Sequence, residues 1–329
     1  MKILVTGGAG FIGSCFVRMT LADALPGLVG AEVVVLDKLT YAGTTTNLTT
    51  VLGSPRLRFV EGDILDRELV GSLVQGVDAV VHFAAESHVD RSISGAADFV
   101  VTNVVGTQTV LDATLGAPGL RFLHVSTDEV YGSIDVGSWP ETHPLDPNSP
   151  YAASKASSDL VARSYFRTHR TDVVVTRCSN NYGPHQFPEK VIPLFVTNLV
   201  DGGTVPLYGD GLNVRDWLHV EDHCRGLALA LTKGRAGEVY NIGGGTELTN
   251  RELTERLLAA TGRDWSAVVP VEDRKGHDRR YSVDIRKISE ELGYAPQVPF
   301  EQGLADTVDW YRARRDWWEP LKAAAPSVR

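Results

Sequence analysis

At 329 residues, 43% of them hydrophobic and 22% charged, the chain is long enough for one large α/β domain or two smaller units sharing an interface. Lys and Arg total 32 against 41 Asp and Glu, a net charge of −9 with no long basic block; this argues against nucleic-acid binding and leaves any anionic ligand to a few local cations. Three scattered cysteines, Cys15, Cys178 and Cys224, form no C-x-x-C pair, so a reducing, cytoplasmic setting is expected, without a disulfide framework or thiolate zinc site.

The opening "MKILVTGGAGFIG" is apolar, but glycines interrupt it early and no cleavage-like site follows, so it reads as a strand and turn. No apolar stretch nears the ~20 residues of a membrane helix, and no membrane partner is expected. Nearly continuous apolar runs recur at 2–6, 32–37, 57–63, 77–84, 120–126 and 172–177, as in strands covered by helices on both faces. Helix-like segments lie between them, among them 64–75, 98–115 and 151–169. This alternation predicts an α/β fold, a Rossmann-like doubly wound parallel sheet with right-handed crossovers. Past residue 178 glycines, prolines and polar loops are more frequent, although "EVYNIGG" (238–244) has the pattern of one more strand. Residues 1–177 are expected to form the sheet domain, rejoined by part of 216–242, with 178–329 a smaller substrate-binding domain.

"TGGAGFIG" follows the first strand and opens a helix, matching G-x-G-x-x-G at Gly8, Gly10 and Gly13 and G-x-x-G-x-x-G at Gly7, Gly10 and Gly13. Glycines there allow a tight turn and a close backbone approach to a pyrophosphate, which the helix N-terminus attracts. Asp37 ends the second strand, ~20 residues on, where a carboxylate meets the adenosine ribose. An acid there repels a 2′-phosphate, so NAD is expected rather than NADP. Asp63, after the third strand, is a candidate for the adenine, and Phe83, Ala84 and Ala85 for the floor beneath the pyrophosphate.

"VSTDEVYG" (125–132) then sets Thr127, Asp128 and Glu129 at the end of an apolar run. Adjacent acids repel each other, and taken alone they read as a solvated pair in a strand-end loop. In a regular strand neighbours face opposite ways, so both can serve one ligand only if the backbone turns there. "SPYAASKASSDLV" (149–161) starts a helix, with Ser149 as cap and Pro150 in its first turn. Tyr151 and Lys155 then lie one turn apart on one face. A free tyrosine has a pKa of about 10. A neighbouring ammonium and a nicotinamide cation are expected to favour its phenolate.

These motifs, together with "DKLTYAG", "HFAAESHVDRSI", "CSNNYGP", "FPEKVIPLF", "YGDGLNVRDWLHVEDH" and "GHDRRY", resemble the extended short-chain dehydrogenases/reductases over essentially the whole chain. Within them the chain is most similar to the dTDP-glucose 4,6-dehydratases, NAD-dependent lyases that make the 4-keto-6-deoxy sugar. The adjacent acids discriminate, because related sugar-nucleotide epimerases typically lack them. An epimerase need only turn a 4-ketone over, whereas a dehydratase must also eliminate water across carbons 5 and 6. The 4-ketone acidifies the carbon 5 proton, and hydroxide needs an acid to leave, so two carboxyls in opposite protonation states are required. The resemblance makes Tyr151 the base at the carbon 4 hydroxyl, assisted by Lys155, with Thr127 on the carbon 4 oxygen. It makes Glu129 the base at carbon 5 and Asp128 the acid at the carbon 6 oxygen.

The same resemblance extends the NAD contacts to Phe11, Ile12, Lys38, Thr40, Gly43, Ile64 and Asn180. For a dTDP-sugar it implies Arg215 and Arg274 on the diphosphate, with Asn180, Lys190 and Val191 near them. Pro206 and Tyr208 flank the thymine, Asn250, His277 and Tyr281 complete the nucleotide pocket, and Ser87 touches the sugar. At Lys275 the chain departs from the commoner proline. Homodimers built through helices of the sheet domain are also implied. Alternatives are a sugar-nucleotide 4-epimerase, a dehydratase for another nucleotide, and a non-catalytic NAD sensor. "HVEDH", with His219 and His223 four apart, reads as a helix start and not a metal site. Residues 310–321 read as one amphipathic helix used in core or subunit packing.

Overall fold

A computed structural model describes residues 1–324. The strands in chain order are β1 (Lys2–Thr6), β2 (Glu32–Asp37), β3 (Leu57–Glu61), β4 (Ala79–His82), β5 (Arg121–Thr127), β6 (Asp172–Cys178), β7 (Asn180–Tyr182), β8 (Val205–Tyr208), β9 (Val214–His219), β10 (Val239–Ile242), β11 (Glu247–Thr249) and β12 (Val268–Val271). Seven form one parallel sheet in the order β10-β6-β5-β4-β1-β2-β3. Alternate residues of each strand enter different cores, as a two-residue repeat dictates. Ile3, Val5, Val33 and Val35 pack with the helices Phe11–Leu21 and Val220–Lys233. Leu4, Val34 and Leu36 pack on the other face, with Val70, Val110 and Ala162 from three further helices. Both faces are therefore covered, which explains the continuous apolar runs.

From β1 the chain winds outward through β2 and β3, then returns to wind the other way through β4, β5 and β6. The carboxyl ends of β1 and β4 thus flank a switch point, where a doubly wound sheet leaves a crevice for ligand. Over that end lie a three-stranded sheet (β11-β9-β7) and a two-stranded one (β12-β8). A separate core built on Trp217, Leu253, Leu257, Phe300 and Trp318 supports them.

Two expected helices differ from what forms. The segment expected as 98–115 divides into Ala96–Val100, a wide turn of π type over Val101–Gly106, and Thr107–Thr114. The widened turn carries the buried Asn103, whose amide donates to the Glu86 carbonyl at 3.0 Å and to Ser154 Oγ at 2.8 Å and whose oxygen accepts the Glu86 N–H at 2.8 Å. Such turns often accompany functional sites. The segment 310–321 spans two helices, Phe300–Ala313 and Arg315–Ala324, because Arg314 leaves the helical region at φ −119° and ψ 46°. Its tryptophans turn inward, Trp317 and Trp318 being buried in the second core. No helix among the described residues is long and apolar enough to cross a membrane.

Candidate active site

The glycine turn leaves β1 at Gly7, whose φ of +71° suits glycine. A Cβ there would stand 2.6 Å from the Ala84 nitrogen, and one on Gly13 only 2.3 Å from the Gly7 oxygen. Gly10 starts the helix Phe11–Leu21 without a side-chain cap, and no acid stands in the first turn. Its leading N–H groups are free to hold an anion. Asp37 fixes the turn from the side, accepting from Ala9 N at 2.8 Å and from Leu39 N at 2.9 Å. Burial raises its pKa, and those two amides oppose the rise.

One elongated cavity runs from this turn past Phe11, Ile12, Lys38, Thr40, Gly43 and Ile64, over Phe83, Ala84 and Ala85, to Tyr151, Lys155 and Asn180. Asp63 lines it too, paired with Lys38 at 2.7 Å. Every residue expected to touch the dinucleotide borders this one space, and the glycine turn, free helix end and ribose-side acid suit NAD. Asn180 adds a buried side-chain oxygen with no partner among the described residues.

At the far end, β5 stops at Thr127 and the backbone enters a short 3-10 turn, Asp128–Tyr131. Thr127 caps it by accepting from Glu129 N at 3.3 Å. The strand alternation ends there, and Asp128 and Glu129 line the same cavity as Tyr151. Their surroundings differ. Asp128 is 2% exposed and its Oδ2 has no partner among the described residues. Burial, then the charges of Glu129 and Asp216, raise its pKa well above the usual carboxylate range. Glu129 is half-buried; burial raises it as well, but Arg215, Lys190 and Arg274 pull against the shift.

The protein's own groups hold Tyr151 toward the neutral phenol. Burial lifts its pKa well above the ordinary value, and the charges of Glu129, Cys178 and Asp128 add to the rise, while the nearby Thr127 hydroxyl opposes it. The Lys155 ammonium donates to the Val125 carbonyl at 2.8 Å.

A second cavity meets the first at Ser87, Glu129, Asn180 and Lys190. It is lined by Val191, Pro206, Tyr208, Arg215, Asn250 and Arg274, and by His277 and Tyr281. Arg215 stacks on Tyr281 at 4.2 Å and donates to the Asp278 carbonyl at 3.0 Å. Lys190 donates to the Ser87 carbonyl at 2.8 Å.

The profile of the family described as GDP-mannose 4,6 dehydratase matches residues 4–307. A dTDP-glucose 4,6-dehydratase of Streptomyces antibioticus is 64% identical over 323 residues, 98% of this chain and 96% of its own length. The chain belongs to the dTDP-glucose 4,6-dehydratase family. Among solved structures, DesIV of Streptomyces venezuelae, a dTDP-glucose 4,6-dehydratase with NAD and dTDP bound, has 67% identity and a TM-score of 0.96, over 98% of this chain and 100% of its own. The dTDP-glucose 4,6-dehydratase of Bacillus anthracis, in complex with NAD, has 47% identity and a TM-score of 0.90, over 98% and 99%.

Within this member of the dTDP-glucose 4,6-dehydratases, the sequence leaves some neighbours unannounced. Asp90 grips Arg274, through Nε at 2.5 Å and Nη2 at 2.9 Å. Glu189 takes Arg91 at 2.9 Å, and Arg91 in turn covers the Tyr41 ring at 3.9 Å. The acids in "HVDR" and "PEK" were the available signal, but charge alone does not name a partner 98 or more residues away. Lys275 is exposed and borders neither cavity. His219 caps its helix, and His223, its pKa lowered to about 3 by burial, bonds the Asn181 side chain at 2.9 Å.

Proposed function

We propose that the chain converts dTDP-glucose to dTDP-4-keto-6-deoxyglucose, with the nucleotide in the second cavity and the glucose at the seam between the two. NAD in the first cavity would supply the hydride acceptor for carbon 4 and the donor that returns that hydrogen to carbon 6. Tyr151, as phenolate, takes the proton of the carbon 4 hydroxyl, while Thr127 holds the carbon 4 oxygen. Lys155 holds the nicotinamide ribose. Glu129 takes the carbon 5 proton, acidified by the 4-ketone. Asp128 protonates the hydroxyl leaving carbon 6. Arg215, Arg274 and Lys190 neutralise the diphosphate.

The observation that carries this reading is the unlike environment of the two neighbouring acids. Asp128 sits buried with one oxygen unpartnered among the described residues, a place that favours the neutral acid. Burial raises Glu129 too, but Arg215, Lys190 and Arg274 pull against the rise, so of the two acids it is the readier to hold the carboxylate.

The reading extends to a cytoplasmic homodimer, supported by the three free, buried cysteines and by exposed Val101, Val105 and Leu160 on adjoining elements of the sheet layer. Its test is dTDP-glucose deuterated at carbon 4, followed by NMR. The label is expected at carbon 6 of a 4-keto product. Label returned to carbon 4 with inverted configuration would make the chain an epimerase, and no turnover would sink both readings.

A further inference from the structure

Oxidation and elimination, in the proposed reaction, are carried by different elements. Tyr151 and Lys155, which serve the oxidation at carbon 4, lie on the helix Pro150–His169. Asp128 and Glu129, which serve the elimination across carbons 5 and 6, lie on the four-residue 3-10 turn Asp128–Tyr131. So short a turn has little internal hydrogen bonding to fix it. Its first end is held by β5, whose last residue Thr127 pairs with Cys178 and caps the turn. What holds the other end decides where the two carboxyls stand.

That end is Tyr131, 1% exposed and lining neither cavity. The Trp139 indole stacks on its ring, with centroids 5.4 Å apart. Its phenol donates to Asn241 Oδ1 on β10 at 2.9 Å and accepts from Arg177 Nη1 on β6 at 2.8 Å. Burial raises its pKa to about 12, so the proton given to Asn241 stays in place at neutral pH. Arg177 in turn donates through Nε to Asp159 at 2.8 Å, a pair with neither side chain exposed. Asp159 stands four residues beyond Lys155 on its helix, as Lys155 stands beyond Tyr151. That spacing puts all three on one stripe. A buried pair contributes little net stability for the desolvation it costs, whereas this one joins the helix of the oxidising residues to the turn of the eliminating ones.

We propose that Tyr131 is a positioning residue for the elimination: anchored by Arg177 and Asn241, it holds the turn so that Asp128 and Glu129 meet a sugar already seated against Tyr151 and Lys155. The phenol touches neither sugar nor cofactor and acts through the two carboxyls. Loss of its oxygen frees the end of the turn, while Thr127 keeps the β5–β6 ladder and Lys155 keeps the Val125 carbonyl. Oxidation at carbon 4 then proceeds and elimination lags, since a displacement of about 1 Å can cost about 10²-fold in rate. The role rests on the dehydratase reading and adds to it a residue outside both cavities.

Stopped-flow fluorescence of NADH, with the NAD-loaded protein in excess over dTDP-glucose, reads the two steps apart. The rise reports hydride leaving carbon 4, and the fall reports its return to carbon 6 after elimination. In Tyr131→Phe the rise is expected within about twofold of that in the unaltered protein, and the fall at least about tenfold slower. Tyr240→Phe is a matched control. That buried phenol also donates once, to Glu291 at 2.9 Å, and accepts once, from Arg235 N at 3.2 Å, but it supports no catalytic turn. The control is expected to lower the melting temperature without slowing the fall. Rise and fall slowed alike in Tyr131→Phe, neither slowed, or the same lag in Tyr240→Phe overturns the role. If Tyr131→Phe fails to fold, Asn241→Ala, which removes one of the phenol's two partners, is expected to show the same lag and is judged by the same results. Absence of dehydration by the unaltered protein removes the dehydratase reading itself, a result distinct from any of these.

Discussion

The Lys155 ammonium donates to the carbonyl of Val125 at 2.8 Å, tying the helix that carries Tyr151 to the strand that ends in Thr127. Burial lowers its pKa to about 8, with Asp159 opposing. The cation is therefore present below about pH 8 and lost above it. If the charge serves catalysis, kcat should fall as pH rises through that value, and Lys155→Met should lose about 10²–10⁴ in rate. The stability term has the other sign. An unfolded lysine keeps its proton to about 10.4, so the unfolded chain binds more protons between the two values, and stability from this group rises with pH there. Circular dichroism at pH 9 should show an intact fold beside a reduced rate. A rate flat to that pH would remove the ammonium from the mechanism.

Glu129 and Asp128 should separate by what each variant still does in heavy water. Glu129→Gln is expected to lose about 10²–10⁴ in dehydration with NAD affinity unchanged, and to stop deuterium entering carbon 5. Asp128→Asn should lose a similar factor in dehydration yet still exchange the carbon 5 proton, because only the departure of hydroxide is blocked. NMR of the sugar reads both effects. Carbon 5 exchange surviving in Glu129→Gln would give that proton to another base.

The parts of this molecule that were legible depend on local rules. Continuous apolar runs gave the strands, since a sheet covered on both faces leaves no polar alternation. Gly7, Gly13 and Asp37 could be placed because turn geometry and strand length fix their spacing. What stayed hidden depends on distant partners. Nothing near Asn103 announces the Glu86 backbone that its widened turn serves. Tyr151 and Lys155 have helix spacing, yet the carbonyl that claims Lys155 lies thirty residues back on another element. Likewise Arg274 could be read as a phosphate ligand, but not as a group held by Asp90 at a separation of 184 residues.

That grip on Arg274 has a measurable consequence. A diphosphate entering the second cavity must share Arg274 with Asp90 or take it. Arg274→Ala is expected to weaken dTDP binding by about 10–100-fold, the value of a charged hydrogen-bonding pair, while NAD affinity holds. Arg274→Lys should recover little, because one ammonium cannot reproduce a planar fork. Titration calorimetry with each ligand distinguishes these cases. Equal loss of NAD and dTDP affinity would mean a general collapse of the site.

Asp37 should control cofactor choice. Its oxygens already hold the Ala9 and Leu39 amides, so the carboxylate is fixed before ligand arrives. Asp37→Ala is expected to weaken NAD by about 10–100-fold and to narrow the preference over NADP, whose 2′-phosphate would no longer meet a fixed negative charge. Competitive binding of the two dinucleotides measures the ratio, and an unchanged ratio would place discrimination elsewhere.

The glycine turn is also held from the far end of the chain. Asn47, 2% exposed, donates to the Ala9 carbonyl at 2.9 Å and accepts from the Trp317 indole at 3.0 Å, across 270 residues. Thr44 N adds a second bond to the Ala9 carbonyl at 3.1 Å. Two variants divide these duties. Trp317→Phe removes the indole bond and part of a buried ring, leaves the Asn47 amide on Ala9, and is expected to cost at least about 1–2 kcal/mol of stability with NAD affinity within about twofold. Asn47→Ala removes the support of the turn as well, leaving Ala9 with Thr44 alone. It should lower NAD affinity by at least about tenfold, roughly 1.4 kcal/mol, beyond any loss of stability. Thermal melts with and without NAD, beside calorimetric affinities, tell the effects apart. Equal NAD affinity in the two variants would show that the turn keeps its shape without Asn47.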